Sequence, residues 1–429
     1  MIIHIVQPND TLSSIARSYG VSIQRIIIDN GLFNLPKLVL GQALIILIPE
    51  IVHTVNPGDT LFSIAETYGI TYMNLLQKNP ALIFNSSIYP GQQLTIAFQN
   101  QGNLPIRTYG YVYPHVNDSI LKNILPYITS CAVFSYGFRA DGTLIPINDQ
   151  QIIDNCYAFK TAPILLLSSI DENSSFSSGL AGRLFNDLTL QNIVIENLIN
   201  TMQSKGYLGI DIDFEYIPLT DRDAFVRFVQ NITEQMHRYG FTVNVDLAPK
   251  TSSEQKGTLY EGHDYAALGQ IADTVLIMTY EWGYTYGPPM AVAPLPQVRR
   301  VVEYAVSQID NRKIYMGIPN YGYDWQLPYE KGVSRAISIG NEEAIRIAAD
   351  NNAVIQYDQI SESPFFEYTA PNGSNHVVWF EDIRSMQKKF QLIEEFNLLG
   401  GGYWNLMRPF AQNHAFLSWR YNIDKIVSW

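Results

Sequence analysis

The chain contains the stretch Gly209-Ile210-Asp211-Ile212-Asp213-Phe214-Glu215, in which three carboxylates alternate with apolar residues. Because successive side chains of a β-strand point to opposite faces, this spacing predicts that Asp211, Asp213 and Glu215 share one face. Carboxylates this close together cannot all ionise at neutral pH, so at least one is expected to keep a proton, as a general acid must. Taken alone, the stretch also fits a half-exposed strand with a solvated acidic face.

Seven further apolar runs of strand length surround this stretch and alternate with helical patterns. Together they predict eight strands, at residues 109–112, 131–135, 164–168, 207–213, 242–247, 274–280, 314–319 and 402–405. Alternating strands and helices of this number are typical of a (β/α)8 TIM barrel, which is an α/β fold. Extra strand-like pieces between the seventh and eighth runs predict a small α+β insertion at about residues 326–380.

The active site of such a barrel lies at the carboxyl ends of its strands, so polar and aromatic residues there are candidate site residues. The acidic trio ends the fourth predicted strand. The other candidates are Tyr111, Ser168, Tyr280, Glu281, Trp282, Tyr321 and Trp404. Core packing is the alternative role for a lone tryptophan, but a ring that faces carboxylates at a barrel mouth is suited to stack on a sugar.

The first hundred residues contain a tandem repeat. Residues 4–12, His-Ile-Val-Gln-Pro-Asn-Asp-Thr-Leu, return as residues 53–61, His-Thr-Val-Asn-Pro-Gly-Asp-Thr-Leu. In each copy the Asp or Thr can cap a helix that a glycine ends, and a second helix and an apolar strand follow. The predicted order is therefore β, α, α, β. We expect modules at residues 1–50 and 51–98, a polar linker at 99–105 and a catalytic body at 106–429.

Composition restricts the partners of the chain. The 429 residues carry a net charge of -12, and 12% of them are aromatic. Nucleic acids and anionic membranes are bound through basic patches, so both are excluded, whereas an aromatic and weakly charged chain suits uncharged sugars. No apolar run is long enough to span a bilayer, and the apolar start lacks the basic region of a signal peptide.

The cysteines and histidines form no metal-binding pattern. Cys131 and Cys156 fit no ligand spacing, so a buried thiol pair and one disulfide both stay open. The seven histidines show no close clustering. We therefore expect neither a metal nor an organic cofactor.

Both repeats resemble the lysin motif (LysM), a module that binds peptidoglycan and chitin. The resemblance rests on the Asp-Thr-Leu turn, the Ser-Ile-Ala and Tyr-Gly steps after it, and the Gly-Gln pair before the last strand. It implies that each repeat holds glycan containing N-acetylglucosamine in a shallow groove beside that turn and the loop after the second helix. Helix capping alone is the alternative role for the Asp-Thr pairs.

Residues 106–429 resemble the catalytic domain of glycoside hydrolase family 18. The acidic trio matches the family signature Asp-x-Asp-x-Glu, and further matches are Met278, Tyr280, Pro319, Tyr321, Gly322 and Trp404. The chain departs from the family at Leu208, where an Asp is usual. Glu281 stands where another acid often follows the tyrosine of the sixth strand.

The resemblance implies a retaining mechanism in which the 2-acetamido group of the substrate is the nucleophile. Glu215 would protonate the glycosidic oxygen, Asp213 would hold the acetamido N–H, and Asp211 would share a proton with Asp213. Tyr280 would donate to the acetamido oxygen. The expected substrate-binding residues are Trp404, which would lie under the reacting sugar, and Trp282, Tyr321, Tyr111, Ser168 and Glu281.

Two lysin motifs directly followed by this domain resemble the spore cortex-fragment-lytic N-acetylglucosaminidases of endospore-forming bacteria. This implies a monomer, associated with the coat or cortex of the spore, that hydrolyses cortex peptidoglycan after N-acetylglucosamine during germination. A non-catalytic glycan-binding protein is an alternative, but it would usually lack the acid at Glu215. A chitinase is a second alternative. A metal-dependent deacetylase would need His and Asp ligands at a strand end, which the sequence does not offer.

Overall fold

The computed structural model describes residues 1–33, 35, 37–171 and 176–425. The βααβ order of both repeats is confirmed. The first repeat consists of β1 (Ile2–Ile5), α1 (Leu12–Tyr19), α2 (Ile23–Asn30) and β2 (Ala43–Ile46), and the second of β3 (Pro49–Thr54), α3 (Leu61–Thr67), α4 (Tyr72–Lys78) and β4 (Gln93–Phe98). The two strands of each repeat pair antiparallel.

The Asp-Thr turn of each repeat is fixed by bonds within the repeat. The hydroxyls of Thr11 and Thr60 cap α1 and α3, because each accepts a hydrogen bond from the backbone N–H three residues later. Asp10 and Asp59 each accept a backbone N–H, which lowers the pKa of both carboxyls, and each contacts the histidine six residues before it. The threonines are the helix caps, and the aspartates close the turns.

The rest of the chain forms a barrel with an insertion. Its strands are β5 (Leu104–Val112), β6 (Ser130–Phe138), β7 (Leu144–Ile145), β8 (Ala162–Ser168), β9 (Gly209–Asp213), β10 (Thr242–Leu247), β11 (Thr274–Ile277), β12 (Ile314–Pro319), β13 (Gly322–Leu327), β14 (Ile337–Ile339), β15 (Gln356–Asp358), β16 (Ser363–Thr369), β17 (Asn375–Trp379), β18 (Gly400–Trp404) and β19 (Tyr421–Ile423).

The helices of this part follow the barrel strands. They are α5 (Asp118–Ile124), α6 (Gln150–Ala158), α7 (Ser178–Asn186), α8 (Leu188–Lys205), α9 (Arg222–His237), α10 (Tyr265–Ile271), α11 (Leu295–Gln308), α12 (Asn341–Asp350), α13 (Ile383–Glu395) and α14 (Ala411–Arg420). Short 3-10 helices lie at Leu125–Tyr127, Leu219–Asp221 and Asn311–Lys313, and another lies at Pro80–Ile83 in the second repeat. In the described ranges, none of the helices has both the length and the hydropathy needed to cross a bilayer.

The predicted eight-stranded parallel barrel is confirmed. Its strands neighbour one another in the order β5, β18, β12, β11, β10, β9, β8 and β6, and β6 pairs with β5 to close the ring. The sixth strand, β11, ends at Ile277, earlier than the predicted residue 280. The chain turns there, because the Thr279 N–H donates to the carbonyl of Ile277 at 2.7 Å.

The insertion between β12 and β18 is an antiparallel sheet in the order β14, β13, β17, β16 and β15, together with α12. Its first strand starts at Gly322, before the residue 326 expected from the sequence. β13 therefore follows directly on Tyr321 at the carboxyl end of β12, which places the insertion beside the mouth of the barrel.

Both repeats pack directly against the barrel. Gln412, on α14, donates from Nε2 to Asn30 Oδ1 at 3.0 Å and to the carbonyl of Ala43 at 2.7 Å. Gln77 of the second repeat donates to the carbonyl of Pro126 at 2.7 Å. All these contacts are buried, so the repeats are held in place instead of moving freely on a tether.

The segment between the repeats and the barrel differs from the linker predicted at residues 99–105. The Gly102 N–H donates to the carbonyl of Trp419 at 2.8 Å, and Trp419 Nε1 donates to the carbonyl of Gln99 at 3.1 Å. Leu104 and Pro105 already belong to β5, where they pair with β19. Polar composition does not reveal such hydrogen bonds to a distant helix.

Cys131 and Cys156 are both free and fully buried. Burial, together with the neighbouring Cys131 thiol, raises the pKa of Cys156 well above its usual range. The sequence left open a buried thiol pair or a disulfide, and the structure contains the thiol pair.

Removal of residues 1–98 is expected to destabilise the barrel. Ala43, Ile45, Leu47 and Phe98 are buried in the same apolar cluster as barrel residues, so truncation exposes surface whose burial contributes about 25 cal/mol per Å². We expect a lower midpoint of thermal unfolding and stronger binding of a dye that reports exposed apolar surface. Equal unfolding midpoints for the full and truncated chains would contradict this prediction.

Candidate active site

The acidic stretch forms β9 and the turn after it. Asp211 and Asp213 are 0% and 4% exposed, while Ile210 and Ile212 are buried in the cluster between the strands and the outer helices. The predicted alternation is therefore present in the structure. Glu215 lies two residues beyond the end of the strand, where it lines a cavity together with Asp213.

Asp211 lies inside the barrel and is held by two donors from other strands. Tyr109 donates its hydroxyl to Oδ2 at 2.8 Å, and Asn244 donates Nδ2 to Oδ1 at 2.9 Å. Burial raises the pKa of Asp211 to about 6, although both hydrogen bonds act in the opposite direction. Each oxygen of Asp211 therefore has a partner, which fixes the carboxyl inside the barrel.

Asp213 is buried with less support. Its Oδ1 atom has no hydrogen-bond partner among the described residues. Burial raises the pKa of Asp213 well above its usual range, and the neighbouring charges of Glu215 and Asp211 raise it further. An unpartnered acceptor at the wall of a cavity is costly in the free protein, and a ligand N–H can satisfy it.

A fourth carboxyl, Asp246 on β10, joins this group. It lines the same cavity, and Tyr111 donates a hydrogen bond to its Oδ1 at 2.6 Å. Burial raises the pKa of Asp246 well above its usual range, with further contributions from Asp211 and Asp213. The sequence analysis missed this residue. Its signal was the strand pattern itself, because Asn244 and Asp246 alternate with the apolar residues of β10 and so point into the barrel.

Glu215 has the environment of an acid that keeps its proton. Burial raises the pKa of its carboxyl, and the charge of Glu281 raises it further. The backbone nearby is strained, since Tyr216 and Glu281 have φ values of 55° and 68°, which are uncommon outside glycine. Such strain costs on the order of 1–3 kcal/mol per residue and is often found at active sites.

Glu281 is oriented by the start of the insertion. Tyr321 and Tyr323 both donate hydrogen bonds to its Oε1, the second at 3.0 Å. Burial raises the pKa of Glu281, and these two hydrogen bonds oppose the shift. Glu281 is thereby fixed at the boundary between the barrel and the insertion.

Tyr280 faces the carboxylates from the turn after β11. It is 9% exposed and lines the cavity, and burial together with the charges of Asp246, Asp213 and Glu215 raises the pKa of its hydroxyl well above its usual range. The ring packs closely on β12: a Cβ atom at Gly317 would lie 2.8 Å from its Cε1. Tyr280 therefore stays a neutral hydrogen-bond donor in a fixed position.

The cavity at the barrel mouth has a volume of about 900 Å³. Its wall joins the acids Asp213, Glu215, Asp246 and Glu281 to the aromatic rings of Tyr113, Phe134, Phe176, Tyr216, Tyr260, Tyr280, Trp282, Tyr284 and Trp404. The Trp404 ring lies 5.3–6.0 Å from those of Tyr111, Tyr113 and Phe134, so it is packed on one side and faces the cavity with the other. Aromatic faces beside carboxylates suit a carbohydrate ligand.

Some predicted site residues do not line this cavity. Ser168 is fully buried and shares a hydrogen bond of 2.9 Å with Ser135. Tyr111 and Asp211 lie beneath the cavity wall, where they hold other polar groups. Tyr321 lines an adjoining cavity of about 370 Å³ between the barrel and the insertion. The structure therefore gives Ser168 and Tyr111 supporting positions.

The structure is a closed (β/α)8 barrel that opens into an aromatic cavity, with buried acidic side chains at the C-terminal ends of its strands. These features define the class of barrel glycoside hydrolases. Residues 130–408 match the family described as glycosyl hydrolases family 18, and residues 4–47 and 53–97 match the LysM domain. The chain belongs to glycosyl hydrolases family 18 and carries two LysM domains. Both matches indicate glycans that contain N-acetylglucosamine as ligands.

Several relatives align with this chain over nearly their full length. The chain is 39% identical to the cortical fragment-lytic enzyme of Bacillus subtilis (strain 168), with 99% of each chain covered. The crystal structure of the Bacillus cereus spore cortex-lytic enzyme SleL superimposes with a TM-score of 0.84 at 37% identity, over 99% of this chain and 98% of that one. The putative sporulation-specific glycosylase YdhD of Bacillus subtilis (strain 168) is 33% identical, over 99% of this chain and 100% of the relative.

Proposed function

We propose that the protein hydrolyses the peptidoglycan of the spore cortex as an N-acetylglucosaminidase, cleaving after N-acetylglucosamine with retention of configuration. The observation that carries the proposal is the position of Glu215, a carboxyl with a raised pKa at the wall of an aromatic cavity, next to the unpartnered Oδ1 of Asp213. The names of the full-length relatives support the cortex as substrate. They also support an association with the spore, and we propose a place in its coat or cortex and a role in germination.

In the first step the acetamido oxygen of the bound sugar attacks the anomeric carbon as the glycosidic bond breaks. Glu215 gives its proton to the departing oxygen. The unpartnered Oδ1 of Asp213 accepts the acetamido N–H, and Tyr280 donates to the acetamido oxygen. Tyr280 orients the acetamido group, and Asp213 stabilises the positive charge that develops on the cyclised intermediate, most effectively in a site shielded from water.

In the second step a water molecule attacks the anomeric carbon from the side that the leaving group vacated. Glu215, now a carboxylate, takes the proton of that water, and the acetamido group is released. The product keeps the configuration of the substrate, and Glu215 is protonated again. Trp404 supports the ring of the reacting sugar from the cavity wall.

Mass spectrometry of the products released from purified spore cortex tests this function. The sugar at the new reducing end identifies the bond that was cleaved. We expect N-acetylglucosamine at that end. Muramic acid at that end would contradict the proposal. Activity on chitin without activity on cortex would identify a chitinase instead.

The pH dependence of hydrolysis should reveal the influence of Glu281 on the acid. Its charge raises the pKa of Glu215, so Glu281→Gln should lower that pKa and move the alkaline limb of the kcat/KM profile to lower pH. The sign follows because the acid acts only while protonated. Glu196→Gln, at an exposed acid of α8, is the matched control. A limb that stays in place, or moves to higher pH, would contradict the assignment.

A further inference from the structure

A second polar cavity lies where the first repeat meets the insertion. We call it the junction cavity; its volume is about 290 Å³. The first repeat contributes Gly31 and Phe33 from the loop after α2, the insertion contributes the start of α12, and the barrel contributes Arg408 from the segment after β18. None of these groups takes part in the chemistry proposed above.

Two buried side chains of the junction cavity have unused hydrogen-bonding atoms. Asn341 and Glu381 are 2% and 1% exposed, and both line the cavity. Asn341 accepts the Glu381 N–H at 2.9 Å, and Glu381 Oε2 pairs with Lys389 Nζ at 2.7 Å. Among the described residues, Asn341 Nδ2 and Glu381 Oε1 have no partner. One donor and one acceptor thus remain, and buried groups of this kind are rarely left unpaired.

The junction cavity and the catalytic cavity both adjoin a third cavity, with which each shares lining residues. The adjoining cavity of about 370 Å³ shares Tyr113, Glu281 and Trp404 with the catalytic cavity. At its other end it shares Arg408 with the junction cavity. Arg408 is held there by Ser338, whose carbonyl accepts Nη2 at 2.9 Å. A line of three concave sites therefore runs from Glu215 to the first repeat.

The parts that form this line are fixed relative to one another. The Ile355 N–H of the insertion donates to the carbonyl of Leu40 in the first repeat at 2.9 Å. Gly41 packs so closely that a Cβ atom there would lie 2.0 Å from the carbonyl oxygen of Ile355. A ligand long enough to reach both ends would therefore meet a preformed surface, which lowers the entropic cost of binding.

We propose that the junction cavity is a distal saccharide site, which binds an N-acetylated sugar of the same glycan strand that occupies the catalytic cavity. The inference rests on the proposed function. An acetamido group offers an N–H to Glu381 Oε1 and a carbonyl to Asn341 Nδ2, directly or through a bound water. The Phe33 ring is 65% exposed and can stack on the sugar face.

The polar groups of the cavity also suit a neutral ligand that has both donors and acceptors. Burial raises the pKa of both Glu342 and Glu381, so burial favours their uncharged forms. The same wall carries the acids Glu343 and Asp382 and the basic groups Arg346 and Arg408. A hydroxyl- and amide-bearing sugar can use both these donors and these acceptors.

The test is binding of soluble N-acetylglucosamine oligomers of increasing length, measured by calorimetry with full-length protein carrying Glu215→Gln to prevent turnover. We expect affinity to rise again once the oligomer is long enough to reach the junction cavity. Phe33→Ala should weaken binding of the long oligomers roughly three- to tenfold and leave the short ones unchanged. Asn341→Asp, which keeps the acceptor for Glu381 and removes the donor, should act in the same direction.

The control is Tyr239→Ala, which removes an exposed ring that lines neither cavity. It should leave both long and short oligomers unaffected. If the protein with Phe33→Ala binds oligomers of every length as tightly as the protein that keeps Phe33, the distal site is overturned. The proposed function would remain intact. Failure of all oligomers, short and long, to bind even with Phe33 in place would instead count against the proposed function.

Discussion

The Glu215→Gln variant is expected to lose activity on cortex fragments by roughly two to four orders of magnitude. Gln keeps the shape and hydrogen bonds of the side chain but has no proton to give to the leaving oxygen. Glu281, another acid of the cavity, accepts hydrogen bonds from Tyr321 and Tyr323, which hold it in a different position, so we do not expect it to substitute. Turnover of a defined fragment, followed by chromatography, measures the loss.

Binding provides the internal control for this variant. The cavity of Glu215→Gln keeps its aromatic walls, so fragments should still bind, and the variant should unfold at a temperature similar to that of the parent. Glu234→Gln, on the exposed face of α9, should have normal activity. Near-normal hydrolysis by a folded Glu215→Gln protein would remove Glu215 from the role of acid.

The eight barrel strands were predictable because each is a short apolar run that repeats between helical patterns. Buried parallel strands have this composition, and the predicted bounds of β10 and β12 agree with the structure. The strand ends were less predictable. β6 continues to Phe138 instead of residue 135, because its last residues pair with β7, a contact that the local pattern does not encode.

The central carboxylates were predictable from spacing alone, but their partners were not. Tyr109 and Asp211 are 102 residues apart in sequence and meet only when the barrel closes. Asp246 was missed because a single acid in an apolar strand gives a weaker signal than three acids in a row. The strand period points it into the barrel, but only the closed ring places it beside Asp211 and Asp213.

The relation between the repeats and the barrel was the least predictable feature. A polar segment with glycine and proline suggests a flexible linker, yet its hydrogen bonds lead to Trp419, at the far end of the chain. Gln412 and Asn30, which join α14 to the first repeat, are likewise distant in sequence. Such contacts depend on how complete surfaces fit together, and no local pattern contains that information.

The Asp213→Asn variant is expected to lose roughly two to three orders of magnitude in kcat, as the loss of one preorganised electrostatic group does in other enzymes. Burial and two neighbouring acids raise the pKa of Asp213, so its charge and proton depend strongly on what binds beside it. Asn keeps an oxygen that can accept the acetamido N–H, but it cannot stabilise the positive charge of the cyclised intermediate. The kcat value should therefore fall more than the affinity for substrate.

A thiazoline analogue of N-acetylglucosamine distinguishes this explanation from simple misfolding. It mimics the cyclised intermediate, so the parent protein should bind it much more tightly than the sugar itself. In Asp213→Asn most of that preference should disappear, while binding of the unreacted sugar changes little. Nucleophilic participation of the acetamido group would be contradicted if the variant kept the full preference for the thiazoline. A covalent sugar adduct trapped on any Asp or Glu of the parent protein would also contradict it, even if Glu215 proves to be the acid.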